Sequence, residues 1–214
     1  MKSTFLSIFL SSCYLTLYAQ QTITDIRDGE VYEILKLGDV LIMNENLNYL
    51  SPTSWCFENK NAPYCETGNY YYANEANEVC PNNWRLPTWK EFVHVIYAVA
   101  DSMKIPRSHI KFDRNLPVEE GEDEFAQMIT GISLVNDEAL LKFIKAGWIQ
   151  GKKHEASVQE NMWIVYEDLD FPPPHIHMMS DEILIHSHHH NINDKPKRIR
   201  RFPVRCVKNT NTTN

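Results

Sequence analysis

A chain of 214 residues that is 43% hydrophobic and 11% aromatic, with few glycines, carries enough apolar material for one packed domain and excludes bulk disorder. A formal net charge of -7 excludes a general nucleic-acid binder, because phosphate recognition draws on a basic surface. Beyond the first twenty positions no stretch approaches the roughly 18 apolar residues that a membrane span needs.

The opening, MKSTFLSIFLSSCYLTLYAQQ, has one lysine, an apolar run and then polar glutamines, the layout of a secretory signal peptide over residues 1–19. Leu17-Tyr18-Ala19 places a small residue at the cut. The alternative is a lipobox, Leu10-Ser11-Ser12-Cys13, which would make Cys13 a lipid anchor. Release is the favoured reading, because the apolar region before Cys13 is short and the residues after it are not a polar tether. The chain is then exported, to the cell surface, to the periplasm or into the medium.

Cysteine usage agrees with export. Of five cysteines, removal of the signal leaves Cys56, Cys65, Cys80 and Cys206, an even set suited to two disulfides. Three pairings are open. Spacing favours a local Cys56–Cys65 bridge and a long Cys80–Cys206 bridge, with chain-entropy contributions of at most about 2.7 and about 4.8 kcal/mol. A zinc site built from these cysteines is disfavoured, since no C-x-x-C pair is present.

Residues 30–47 hold two β-branched-rich runs that meet at Gly38-Asp39, where glycine can supply the positive φ of a type II′ turn, so a β-hairpin is predicted. SPTSWCFENKNAPYCETGN is a loop stapled by its own cysteine pair. A short helix is expected in YYYANEANEVC, stopped by PNN. The clearest helix is WRLPTWKEFVHVIYAVADSM, where Thr88 and Glu91 form a capping box and Trp89, Phe92, Val93, Ile96, Tyr97, Ala100 and Met103 make the core face. His94 falls outside that face and is read as exposed.

The acidic cluster Glu119, Glu120, Glu122, Asp123 and Glu124 lacks a D-x-D-x-D-G ligand pattern and is read as a solvated loop leading into a short helix near Phe125 to Ile129. Strands are expected in LLKFIKAGWIQGK, NMWIVYEDLDF, EILIH and RFPVRCVKN. Lys195, Lys197, Arg198, Arg200 and Arg201 form a basic run, read as a solvated loop or edge strand before an anion site. The last residues, 209–214, are a polar, disordered tail.

Six of the nine histidines lie in PPPHIHMMSDEILIHSHHHN, residues 172–191. His175 and His177 alternate, as do His186, His188 and His190, and alternating strand residues share a face. Pairing across a turn near Ser180-Asp181 would bring up to five imidazoles together. Three or four suffice for zinc, and copper is the other candidate. Met178 and Met179 are soft donors, while Asp181 and Glu182 are oxygen donors or acceptors behind the ligands. The plainer reading is a solvent-facing hairpin whose histidines charge in mild acid. A third is a contact surface that responds to pH.

Several blocks, in order, carry a family resemblance: DIRDGEVYEILKLGDVLIMNENLNY, WCFENKNAPYC, GNYYYANEANEVCPNNWRLPTWKEF and FPVRCVKN. Together they resemble the Fibrobacter succinogenes major paralogous domain of exported bacterial proteins, over most of the chain from Asp25 to Lys208. RLPTWKEF also looks like a segment of the formylglycine-generating enzymes. The resemblance implies one α+β domain over residues 20–208 with a C-type-lectin-like fold, a small twisted antiparallel sheet with two main helices and long irregular loops. It also implies a bridge from Cys80 at the end of the first helix to Cys206 on the last strand. Where the family carries W-S-S-T/S-x-E, this chain reads Trp163-Ile164-Val165-Tyr166-Glu167, followed by the proline- and histidine-rich stretch. The calcium and sugar signatures of true lectins, E-P-N, Q-P-D and W-N-D, are absent from the sequence, as is a nucleophile-elbow motif. The active cysteine pair of the formylglycine generators has no counterpart.

The function expected is a non-enzymatic binding or assembly module at the bacterial surface, without a cofactor. It would contact a surface or outer-membrane protein or a glycan through residues 148–193, with Trp163, Tyr166, His175 and His177 as candidate contacts. The alternative is a zinc or copper protein that uses His175, His177, His186, His188 and His190.

Overall fold

The computed structural model describes residues 21–56, 65, 67–113, 123–130, 148–150, 153–155, 160–165, 175–178, 182–188 and 200–210, of which 113, 123–128, 148–150, 153–155, 160–161 and 186–188 are described by backbone alone. In chain order the strands are β1 (Gln21–Thr24), β2 (Val31–Leu37), β3 (Val40–Met43), β4 (Tyr70–Tyr71), β5 (Lys111–Asp113), β6 (Asp123–Thr130), β7 (Trp148–Gln150), β8 (Lys153–Glu155), β9 (Glu160–Trp163), β10 (His175–Met178), β11 (Glu182–His188), β12 (Arg200–Pro203) and β13 (Val207–Asn209). The helices are α1 (Ala73–Ala76) and α2 (Trp89–Ser102), with a 3-10 turn at Arg107–His109. All the strand pairs are antiparallel, and they form sheets in the orders β1-β2-β3-β13, β5-β6-β11-β10-β9 and β4-β12-β7-β8. The class is α+β.

The opening hairpin forms as the sequence predicts. Leu37 pairs with Val40 across Gly38-Asp39, and Gly38 takes a φ of +63°, a left-handed value that favours glycine. Helix α2 starts where Thr88 accepts from the Glu91 amide and the Glu91 carboxylate accepts from the Thr88 amide. Its buried face is turned relative to the sequence reading: Val95 and Val99 are buried with Trp89, Phe92, Ile96 and Ala100, while Val93, Tyr97 and Met103 pack at the margin. The reason is that α2 is covered on two sides, by β2–β3 and by the five-stranded sheet, so the buried arc is wider than one stripe. His94 is exposed, as expected.

Three expectations are corrected. Residues 125–129 lie in β6, whose register with β11 sets Ile129 opposite Ile183 and Met128 opposite Leu184. Non-local pairing, invisible to local propensity, overrides the helical reading. Arg201 is buried, not solvated: β12 is an interior strand between β4 and β7, and the Arg201 guanidinium lies 3.8 Å over the Tyr72 ring and donates to its hydroxyl. Burial pulls Arg201 below the usual arginine range, with Tyr72 and Glu75 acting in the opposite sense. Asn209, expected in the tail, pairs with Val40 in β13, and the Thr210 amide donates to the Asp39 carbonyl. The signal segment, Cys13, residues 195–198 and residues 211–214 lie outside the described residues.

The chain closes on itself. β13 lies against β3, and the Leu47 amide donates to the Val204 carbonyl at 2.7 Å while Arg85 and Val207 exchange two backbone bonds. Cys80 and Cys206 are bridged with Cα atoms 5.8 Å apart, and Cys56–Cys65 with Cα atoms 5.6 Å apart. Both pairings are those that spacing favours. No helix among the described residues is long and apolar enough to cross a membrane.

Candidate functional site

Strands β9, β10 and β11 carry the candidate site, and their side-chain alternation explains its location. Met162, Ile164, Ile176, Met178, Ile183 and Ile185 all enter the core against α2. The intervening residues therefore occupy the opposite face. On that face His175 pairs with His186 on β11 and with Trp163 on β9, while His177 pairs with Leu184 and Asn161. The two segments pair antiparallel, as the sequence reading allowed, with the register set by the ladder. The solvent-facing reading is corrected: His175 and His177 are 1% and 6% exposed, because a second layer covers their face.

That layer is aromatic. Phe202 of β12 stacks on the His175 ring, centroids 4.1 Å apart and planes 17° from parallel. Trp163 meets Phe202 edge-on at 4.7 Å and His175 edge-on at 5.6 Å. The indole Nε1 of Trp163 donates to the Tyr71 carbonyl at 2.9 Å, which fixes the ring in the interior. Between these walls the Nε2 atoms of His175 and His177 approach to 3.0 Å, one ring donating and the other accepting. Such a contact requires a lone pair on one Nε2, the same atom that binds a metal.

The other predicted residues divide three ways. His186 is placed by backbone register directly across from His175. His188 lies past a register shift between Ser187 and His188, where it pairs with Asp123. Tyr166 and His190 lie outside the described residues, as do Met179 and Asp181. Among the described residues no group of three or more His, Cys, Asp or Glu side chains is gathered as a metal site. Trp163 is 2% exposed and is part of the wall.

Sequence reading passes over Phe202, whose signal is only its position before the closing V-R-C. It also passes over a buried polar ladder in Asn44, Asn46 and Asn48, alternate residues of the chain leaving β3. The Asn46 Oδ1 accepts from Arg205 Nε at 2.8 Å, and its amide donates to the Thr67 carbonyl. Asn48 Oδ1 accepts from the Cys65 amide, which docks the stapled loop. The alternation N-E-N-L-N was the available signal.

Comparisons with known proteins return nothing. No family model, curated protein or solved structure matches the chain. The site is therefore argued from its own residues.

Proposed function

We propose that the chain is an exported, non-enzymatic binding or assembly module with a C-type-lectin-like fold, of the Fibrobacter succinogenes major paralogous type. It works at the bacterial cell surface and contacts a protein or a glycan through residues 148–193. The observation that carries this reading is closure: β13 lies against β3 and Cys80 is bridged to Cys206, so the stretch between Asp113 and Arg200 departs from and returns to one pinned frame. Loops on a rigid scaffold are the usual carriers of recognition. Two disulfides support an oxidising compartment.

Immobilised protein, challenged with a detergent extract of the cell envelope and with purified surface glycans, should retain a specific component in the presence of chelator. Replacing Pro172-Pro173-Pro174 by a Gly-Ser linker should leave the fold intact and release that component. Equal retention by both proteins, or none by either, would overturn the reading.

The 3.0 Å approach of two imidazoles favours a second reading, a zinc or copper protein built on the hairpin of residues 175–190.

A further inference from the structure

We propose that Trp55, Tyr72, Glu75 and Arg201 form a binding site for a neutral sugar ring, where the approach to the stapled loop meets β4, α1 and β12. None of the four lies within residues 148–193, so the inference goes beyond the contact surface proposed above.

Local bonds build the site. Trp55 and Tyr70 exchange two backbone hydrogen bonds, at 3.0 and 2.9 Å, which sets the half-buried Trp55 ring beside β4. Tyr72 caps α1, and Glu75 is the third residue of that helix. The turn at Ser51–Ser54 ties the indole to the carboxylate: the Ser54 amide donates to Ser51 Oγ at 3.0 Å, and the Ser51 hydroxyl donates to Glu75 Oε1 at 2.9 Å. Arg201 connects the two rings, its guanidinium carbon 3.8 Å from the Tyr72 centroid and 5.7 Å from that of Trp55.

Three features point to the ligand class. Glu75 Oε2 is buried and accepts no hydrogen bond among the described residues, while the Ser51 proton is already committed to Oε1. A buried carboxylate oxygen calls for a donor. Second, the Tyr72 hydroxyl accepts from Arg201, which leaves its own proton for an acceptor oxygen. Third, charge disfavours ionic ligands. Arg201 already supplies the cation over both rings, and the Glu75 charge acts on Arg201, so a second cation or an anion would each meet a like charge. A neutral sugar brings hydroxyls that donate to Glu75 and accept from Tyr72, and an apolar C–H face for the indole.

The full chain is titrated with cellohexaose, xylohexaose, maltohexaose and chitohexaose, followed by tryptophan fluorescence and calorimetry. At least one should bind and change the fluorescence. Trp55→Phe should remove that change, and Glu75→Gln, which keeps the side-chain volume, should weaken binding at least about tenfold. Trp55→Phe keeps the test decisive if Glu75→Gln fails to fold. The Gly-Ser linker in place of Pro172-Pro173-Pro174 should leave sugar affinity unchanged. Affinity equal to wild type in both Glu75→Gln and Trp55→Phe overturns the site, and its loss in the linker variant would then place the sugar on residues 148–193 instead. A wild-type chain that binds none of these oligosaccharides also overturns the site, with Glu75 Oε2 held by solvent alone, and leaves the contact surface at 148–193 to the envelope extract.

Discussion

Gly68 shows how one atom can decide local structure. Its φ is +83°, and a Cβ built on it would sit 2.5 Å from the Asn46 Cβ and 3.1 Å from the Leu47 carbonyl. Asn46 cannot retreat, because its side chain bridges Arg205 and Thr67. Gly68→Ala should therefore cost about 2–3 kcal/mol in chemical denaturation, from backbone strain and the clash together. Gly38→Ala, where nothing lies within 4 Å of the added Cβ, should cost less, from strain alone. Asp25 gives a prediction in pH. Burial raises its pKa, but the side-chain and backbone hydrogen bonds from Arg27 and the guanidinium charge outweigh burial, so the carboxyl lies below its ordinary value. A native-state pKa that is depressed favours folding fully above the unfolded value of about 3.9, and the contribution is lost as pH falls from there through the native pKa. Stability measured against pH should therefore drop less steeply below about pH 4 in Asp25→Asn than in wild type. An unchanged acid limb would show that the pair is not linked to folding.

Among the elements, α2 is specified twice, by its apolar face and by its N-terminal cap. Arg85 holds both carboxylate oxygens of Glu91, at 2.7 and 2.6 Å, and also reaches Asn209 of β13 at 2.7 Å, so the cap ties the helix to the last strand. Thr88→Ala should cost about 1 kcal/mol by thermal or chemical denaturation. Glu91→Ala should cost more, because it removes the reciprocal cap bond and leaves Arg85 without that carboxylate. Equal losses in the two variants would show that the Arg85 contact contributes nothing. The cap was legible in T-W-K-E, since its bonds lie within four residues. The strand character of β6 was not legible: its partner β11 lies more than fifty positions away, and the intervening order is set by pairing.

For the whole molecule, the two disulfides should differ in weight. Cys80–Cys206 spans 126 positions and Cys56–Cys65 spans 9. Chain-entropy arithmetic gives upper values of about 4.8 and about 2.7 kcal/mol. The double variant Cys80→Ala, Cys206→Ala should thus lose more stability than Cys56→Ala, Cys65→Ala when both are unfolded under non-reducing conditions. The opposite order would mean that the frame is closed by β13 pairing and by Leu47–Val204 contacts without help from the bridge. The same closure ties the candidate site to the bridge, because β12, which supplies Phe202, runs directly into Cys206 and β13.

The amino-acid sequence by itself determined what local spacing can encode: the Gly38-Asp39 hairpin, the α2 cap and the His175/His177 alternation on one strand face, while of the three open cysteine pairings it favoured the one the structure shows. Only the tertiary structure decided which face is covered. Alternation places His175 and His177 together but is silent on whether water or Phe202 lies above them, and Trp163, a candidate contact in the sequence, is part of the buried wall. The physical reason is that burial belongs to the packing of strands remote in sequence, here β12 over β9 and β10, and the cost of removing an imidazole from water depends on what covers it.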